Sequence, residues 1–282
     1  MIKPFSRIVA YGCSYTAGDE LLDAEILHRV GTEEDIDRIK RDFGNIGIGK
    51  FTTKYFNKRY VDDKWLNHEN EFDTGLKLEE QRKIAWPAQL AKIYEMDYLN
   101  RGIGGASIEY CVYRYEEDLI NGVITDEDLV IFCIPTPGRF FLLAGHGEPV
   151  RSLFNYPDSW ITRELYDQVS MYLMNTYHIY WQYYKMIKYI DMLAKDRGNI
   201  LAFFSNVPYK DIKAHYIDDI RGTNHPVDKL TDSIYSMECV IPEIDFVHRH
   251  PEEIHGFGHN KISKHIDVAH KLSEYIEKKR IT

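Results

Sequence analysis

Residues 7–21 read RIVAYGCSYTAGDEL. The apolar run Ile8-Val9-Ala10-Tyr11 has the length and composition of a buried strand, and it breaks abruptly at Gly12-Cys13-Ser14. A turn of this kind, placed directly after a strand, presents one hydroxyl and one backbone N–H together. Whether Ser14 is a reactive group or only the polar residue of a tight turn depends on the residues at the ends of the other strands.

Working outward, residues 85–96, AWPAQLAKIYEM, place Trp86, Leu90, Ile93 and Tyr94 at helical spacing. Pro87 falls in the first turn, where its missing N–H is harmless. Tyr98-Leu99 then form a short strand that runs into NRGIGGAS at 100–107, and a helix is expected over 107–121. Residues 128–134, DLVIFCI, hold six apolar residues in a row, stopped by Pro135 and Pro137. A long helix is expected from Thr162, a plausible N-cap, to Arg197, with Gly198 as its stop. NILAFFSNV at 199–207 reads as another strand, CVIPEI at 239–244 as a short last one, and 258–279 as a final helix.

Strands alternating with helices imply a parallel sheet covered on both faces. The expected fold is therefore a single three-layer α/β/α sandwich over residues 1–282, with a flavodoxin-like parallel sheet of about five strands. Ligands of such sheets bind at the carboxyl ends of the strands. The conspicuous residues lie there: Gly12-Cys13-Ser14 after the first strand, NRGIGGAS after the second, PTPGR after the third.

YGCSYTAGDE resembles the first motif of the SGNH (GDSL-like) hydrolases, usually Gly-Asp-Ser-x-Thr-x-Gly. Gly12, Ser14, Thr16 and Gly18 match, and Cys13 stands where aspartate is usual. AWPAQLAK is similar to the helix before the second motif, and NRGIGGAS resembles that motif itself, Asn-x-Gly-x-x-Gly. The resemblance implies a serine nucleophile at Ser14 and an oxyanion donor in the N–H of Gly105. That chemistry is physically coherent: a serine hydroxyl needs a base to take its proton and preorganised donors for the oxyanion. A residue without Cβ lets its N–H approach closely.

The third motif departs from the family. Many members carry Gly-x-Asn-Asp after the third strand, whereas this chain has IPTPGRFF. Thr136 through its hydroxyl, or Arg139 through its guanidinium, is available to replace the asparagine. Thr136-Pro137-Gly138-Arg139 is similar to a Thr-x-x-Arg arrangement in divergent members, some of them from phages. The family's base follows Asp-x-x-His before the last helix. Here the region reads EIDFVHRHPEEIHGFGHNKISKHI from Glu243. His250 has the His-Pro step but Val247 in the aspartate position; His248 pairs with Asp245 in the Asp-x-x-His spacing; His255 sits nearest the helix. His250 is favoured, with His248 next, while His259 fits the helix start.

His248, His250, His255 and His259 lie close together, yet His-Glu-x-x-His is absent. Two glycines between His255 and His259 disfavour the helix that zinc ligation at that spacing needs. No metal or other cofactor is expected. The net charge of −9 gives no basic field for nucleic acid or anionic lipid. No run approaches a membrane span, and the N-terminus lacks signal-peptide features. Four dispersed cysteines without a CxxC pair suggest a reducing, cytoplasmic setting, and a place within a virus particle is compatible with the same features. Aromatic residues are abundant: 21 Tyr, 13 Phe and 4 Trp, and the stripe Tyr166, Tyr172, Tyr177, Tyr180, Trp181, Tyr184 reads as core packing.

Residues 24–83 and 138–160 read as insertions that leave the core on the strand-exit side, the first as a lid and the second beside the active site. The resulting expectation is a serine esterase acting on a small-molecule or carbohydrate ester, such as an O-acetyl group on a saccharide. The departures at Cys13, at the missing asparagine and at the base also fit a non-catalytic binding protein on this fold, for example a phage recognition module. Acyl transfer to an acceptor other than water is a third reading.

Overall fold

The computed structural model describes residues 2–18, 66–68, 71–72, 81–104, 106–135, 142–143, 149–150, 176–205, 233–241, 244 and 262–281. β1 (Arg7–Gly12) leads into a single helical turn, α1 (Ser14–Ala17). Then come α2 (Trp86–Tyr94), β2 (Asp97–Asn100), α3 (Ile108–Ile120), β3 (Asp128–Ile134), α4 (Thr176–Arg197), β4 (Ile200–Phe204) and α5 (Ile262–Ile281).

Among the described residues the central sheet has four parallel strands in the order β2-β1-β3-β4. Arg7 pairs with Asp97 on one side and Asp128 on the other, and Val130 pairs with Ile200. Among the described residues the expected fifth strand contributes one parallel bridge, Ala202 to Val240, with the N–H of Ile241 donating to the Ala202 carbonyl at 2.8 Å. The bridge continues the sheet beyond β4, so the order is the flavodoxin-like one that the alternating sequence predicts.

Strand alternation divides the core into two. Val9, Tyr11, Val130, Phe132, Ile200, Ala202 and Phe204 face one side, against α3 and α4. Ile8, Ala10, Leu129, Ile131, Leu201 and Phe203 face the other, against α2 and α5. Both faces are apolar because both are covered, which is why β3 reads as an unbroken hydrophobic run. Tyr11 stacks on Phe132 with ring centroids 5.4 Å apart, and Trp86 meets Phe203 edge-on at 5.2 Å. Truncating a ring such as that of Phe132, 1% exposed, costs roughly 3–5 kcal/mol at sites of this type.

The helix ends follow their local chemistry. Ser107 caps α3 by accepting the Tyr110 N–H at 3.2 Å, and Gly198 ends α4 in the left-handed region at φ 77°. α2 has no side-chain cap of its own. Instead the Trp86 N–H donates to Nδ1 of buried His265 on α5, at 3.1 Å. The expected α4 start at Thr162 lies outside the described residues. Its core line is Tyr183, Ile187 and Ile190, whereas Trp181 of the aromatic stripe is 40% exposed and stacks on Tyr184 at 5.8 Å.

Two ion pairs tie the sheet to its connections. Arg7 grips Asp128 through Nε and Nη2, both at 2.8 Å, and Nη2 also donates to the Val123 carbonyl at 2.6 Å. Arg101 grips Asp118 of α3 at 2.9 and 2.8 Å, and the Tyr11 hydroxyl donates to the same carboxylate at 2.8 Å. Within 24–83 the structure describes the antiparallel pair Leu66–His68 with Glu71–Phe72 and a helical turn at 81–84. Within 138–160 it describes the pair Leu142–Leu143 with Pro149–Val150. Among the described residues no helix is long and apolar enough to cross a membrane.

Candidate active site

β1 is flanked by β2 and β3, so its carboxyl end lies at the centre of the sheet's rim. Ser14 is the first helical residue there, separated from Gly12 at the end of β1 by Cys13 alone, and it is 6% exposed. The turn is closed by Thr16 N–H and Ala17 N–H, which both donate to the Cys13 carbonyl at 2.9 and 3.0 Å. Gly18 ends it at φ 77°, a conformation in which a side chain would be strained, and its N–H donates to the Ser14 carbonyl at 2.9 Å. As the first residue of a helix, Ser14 has an N–H with no preceding carbonyl of its own helix to bond.

Gly12 and Gly102 are required by contact. A Cβ on Gly12 would lie 2.1 Å from Thr16 Oγ1 and 2.9 Å from Cys133 Cβ. A Cβ on Gly102 would lie 2.4 Å from the backbone nitrogen of Ala17 and 2.7 Å from the carbonyl carbon of Thr16. The two glycines thus let the turn after β1 and the loop after β2 press directly together, with Thr16 between them.

The loop after β2 is tethered on several sides. Arg101 N–H donates to the Ala10 carbonyl at 2.8 Å and Ile103 N–H to the Gly12 carbonyl at 3.1 Å, extending the β1–β2 pairing. Asn100 Nδ2 donates to the Thr16 carbonyl at 2.7 Å, and Asn100 Oδ1 accepts the Gly102 N–H at 2.9 Å. Arg82 Nη2 donates to the Gly102 carbonyl at 2.8 Å. Ala106 N–H donates to the Ile103 carbonyl at 3.2 Å.

Cys13 is fully buried in the α3/α4 core, and its thiol donates to Ser205 Oγ at 3.7 Å. Ser205 comes directly after β4 and returns its N–H to the Ile134 carbonyl at 2.9 Å. Tyr183 donates its hydroxyl to the Pro135 carbonyl at 2.7 Å, anchoring the exit of β3 to α4. All four cysteines are free and buried.

Of the residues singled out from sequence, Ser14 stands at the rim of the sheet beside the glycine loop. Gly105, Thr136, Arg139, Asp245, His248, His250, His255 and His259 lie outside the described residues. Asn100, Arg82, Ser205 and Tyr183 acquire roles that sequence reading did not assign. Asn100 was within reach of it, as the first residue of NRGIGGAS. A cleft of about 220 Å³, lined in part by Lys195, Gly198, Ile200 and Lys279, opens at the amino end of the strands and so away from Ser14.

Fold and rim together define a parallel α/β sandwich carrying a serine turn and a glycine loop at the carboxyl edge of its central strand. No protein-family profile matches the chain, and no curated protein matches it by sequence. Among solved structures it is similar to a carbohydrate esterase whose active site displays divergent catalytic and non-catalytic binding functions. That match has 12% identity and a TM-score of 0.43, over 99% of this chain and 66% of the other. It is also similar to LAE5, an alpha/beta hydrolase enzyme from the metagenome of Lake Arreo, Spain, with 13% identity, TM-score 0.38, 95% of this chain and 93% of the other. A third is the acetyl xylan esterase Est2A from the rumen bacterium Butyrivibrio proteoclasticus, with 14% identity, TM-score 0.40, 99% of this chain and 65% of the other. The chain spans just under two thirds of the length of the first and third.

Proposed function

We propose that the chain is a serine esterase of the SGNH type, divergent and with a phage-like third motif. The observation that carries this reading is the position of Ser14: a hydroxyl at the first position of a one-turn helix after the central strand, pressed against the glycine loop through Gly12 and Gly102. In this mechanism Ser14 Oγ attacks the ester carbonyl carbon while His250, or His248, takes the hydroxyl proton. The tetrahedral oxyanion is held by the N–H groups of Ser14 and Gly105, with Thr136 or Arg139 in place of the usual asparagine. The same histidine gives its proton to the departing alcohol, leaving an acyl-serine. Water, deprotonated by the histidine, then releases the acid and restores the hydroxyl. Asp245 is the candidate for orienting the imidazole. The substrate class is a small acyl ester, of which an O-acetyl group on a saccharide is the leading case, with 24–83 as a lid and 138–160 beside the active site.

The test is covalent labelling by a fluorophosphonate together with turnover of 4-nitrophenyl acetate. Wild type is expected to label, Ser14→Ala to lose labelling entirely, and one of His248→Ala, His250→Ala and His255→Ala to lose it selectively. A second reading, a non-catalytic binding protein on this fold, draws on Cys13, an apolar-packed thiol where related enzymes carry an acid. Absent labelling and absent turnover in folded wild type would establish it over the esterase.

A further inference from the structure

Asn100 is 5% exposed, and its carboxamide uses both ends: Nδ2 on the Thr16 carbonyl at 2.7 Å and Oδ1 on the Gly102 N–H at 2.9 Å. One side chain therefore joins the turn that carries Ser14 to the loop that continues toward Gly105. We infer that Asn100 is a positioning residue that holds the Ser14 turn at a fixed distance from the glycine loop at Gly102; this rests on the esterase reading of Ser14.

The geometry supports this role over that of a simple loop staple. Thr16 and Ser14 share a one-turn helix, so a shift of the Thr16 peptide carries Ser14 with it. Gly102 is held at its N–H by Asn100 and at its carbonyl by Arg82, while its missing Cβ leaves the Thr16–Ala17 peptide in direct contact. Neighbouring residues of the loop are fixed to β1 at the Ala10 and Gly12 carbonyls. Those bonds set the loop's height along the strand. Asn100 bonds both loops through one side chain, and that double contact is what fixes their separation in this proposal. Reacting groups displaced by about 1 Å can lose roughly a hundredfold in rate, which is the scale on which a lost carboxamide matters here.

The role separates experimentally from stability. Asn100→Ala is expected to lower kcat for 4-nitrophenyl acetate roughly 10- to 100-fold with KM within about twofold, measured well below its Tm. Asn100→Asp, nearly the same size, keeps an acceptor for Gly102 N–H but turns a second acceptor toward the Thr16 carbonyl. It should fold, and it should fail to restore kcat. Gly102→Ala forces the same two peptides apart without touching Asn100. Its kcat loss should not multiply with that of Asn100→Ala in the double variant, because both act on one separation. Amide exchange at Gly102 should accelerate in Asn100→Ala, which removes its acceptor, and stay near wild type in Asn100→Asp, which keeps it. A wild type that neither labels nor turns over would overturn the esterase reading and this proposal with it. A wild type that labels, with folded Asn100 variants retaining kcat or with fully multiplicative losses, overturns this proposal alone.

Discussion

Cys13 turns its thiol onto the hydroxyl of Ser205, 3.7 Å away, and so belongs to the core although it adjoins Ser14. The contact links the residue after β1 with the residue after β4, across the intervening end of β3. A carboxylate here would have one hydroxyl for a partner in an otherwise apolar setting. Cys13→Asp is therefore expected to destabilise by several kcal/mol at neutral pH, since an ill-satisfied buried charge costs that much or is forced to take a proton. Cys13→Ala should cost about 1–2 kcal/mol and retain fluorophosphonate labelling of Ser14. Denaturant midpoints and labelling of the two variants check this, and an unimpaired Cys13→Asp would contradict the core assignment.

Thr16 Oγ1 is buried and, among the described residues, has no hydrogen-bond partner. Replacing such a hydroxyl by a methyl removes an uncompensated desolvation cost of about 1–3 kcal/mol. Thr16→Val should hold or raise the Tm, whereas Gly12→Ala, driven into Thr16 and Cys133, should cost about 1–3 kcal/mol. Thermal unfolding of both variants gives opposite signs if the packing is as described.

Glu109, in the first turn of α3, has its carboxyl held above the usual range because burial penalises the charge, and the bonds from Ser107 and its own N–H only partly offset this. The folded state therefore prefers the proton. Its stabilising contribution is complete below the unfolded value of about 4.3 and is lost as pH rises through the raised folded value. Glu109→Gln should raise stability at pH 7 and flatten the decline above pH 4 in a urea titration series. A variant less stable than wild type at pH 7 would mean that the helix-end attraction, about 0.3–1 kcal/mol, outweighs burial.

Asp128 shows the reverse sign. Burial pushes its carboxyl up, but the Arg7 bonds and the Thr125 N–H together hold it below the usual range. Its contribution is present above the unfolded value of about 3.9 and disappears as pH falls through the lower folded value. Asp128→Asn should cost on the order of 2 kcal/mol at pH 7 and make the acid limb shallower than in wild type. Equal acid limbs in the two proteins would refute the linkage.

Much of the fold could be read from local pattern. DLVIFCI is a strand because seven consecutive buried positions need covering on both faces, and Ser107 and Gly198 mark helix ends through their own backbone chemistry. Continuing the alternation of Val9 and Tyr11 by one more step even places Cys13 on the α3/α4 side. What depends on distant partners was not legible. Asn100 meets Thr16 across 84 positions, and nothing in NRGIGGAS announces which carbonyl its side chain will find. The fifth strand read as an element because CVIPEI is apolar, and among the described residues it contributes one bridge. The base was ambiguous for a related reason: three histidines in a stretch without periodicity give no face to choose by.

The strand order also governs how the molecule must assemble. β1 precedes both of its neighbours in the chain, and both are distant, Arg7 being paired with Asp97 and with Asp128. Loop closure over such separations is slow compared with local helix formation. Ser14 therefore lacks the two strands that flank the one leading into it until β2 and β3 have been synthesised. A nascent chain stopped before Asp97 holds the serine motif intact but lacks both strands that flank β1.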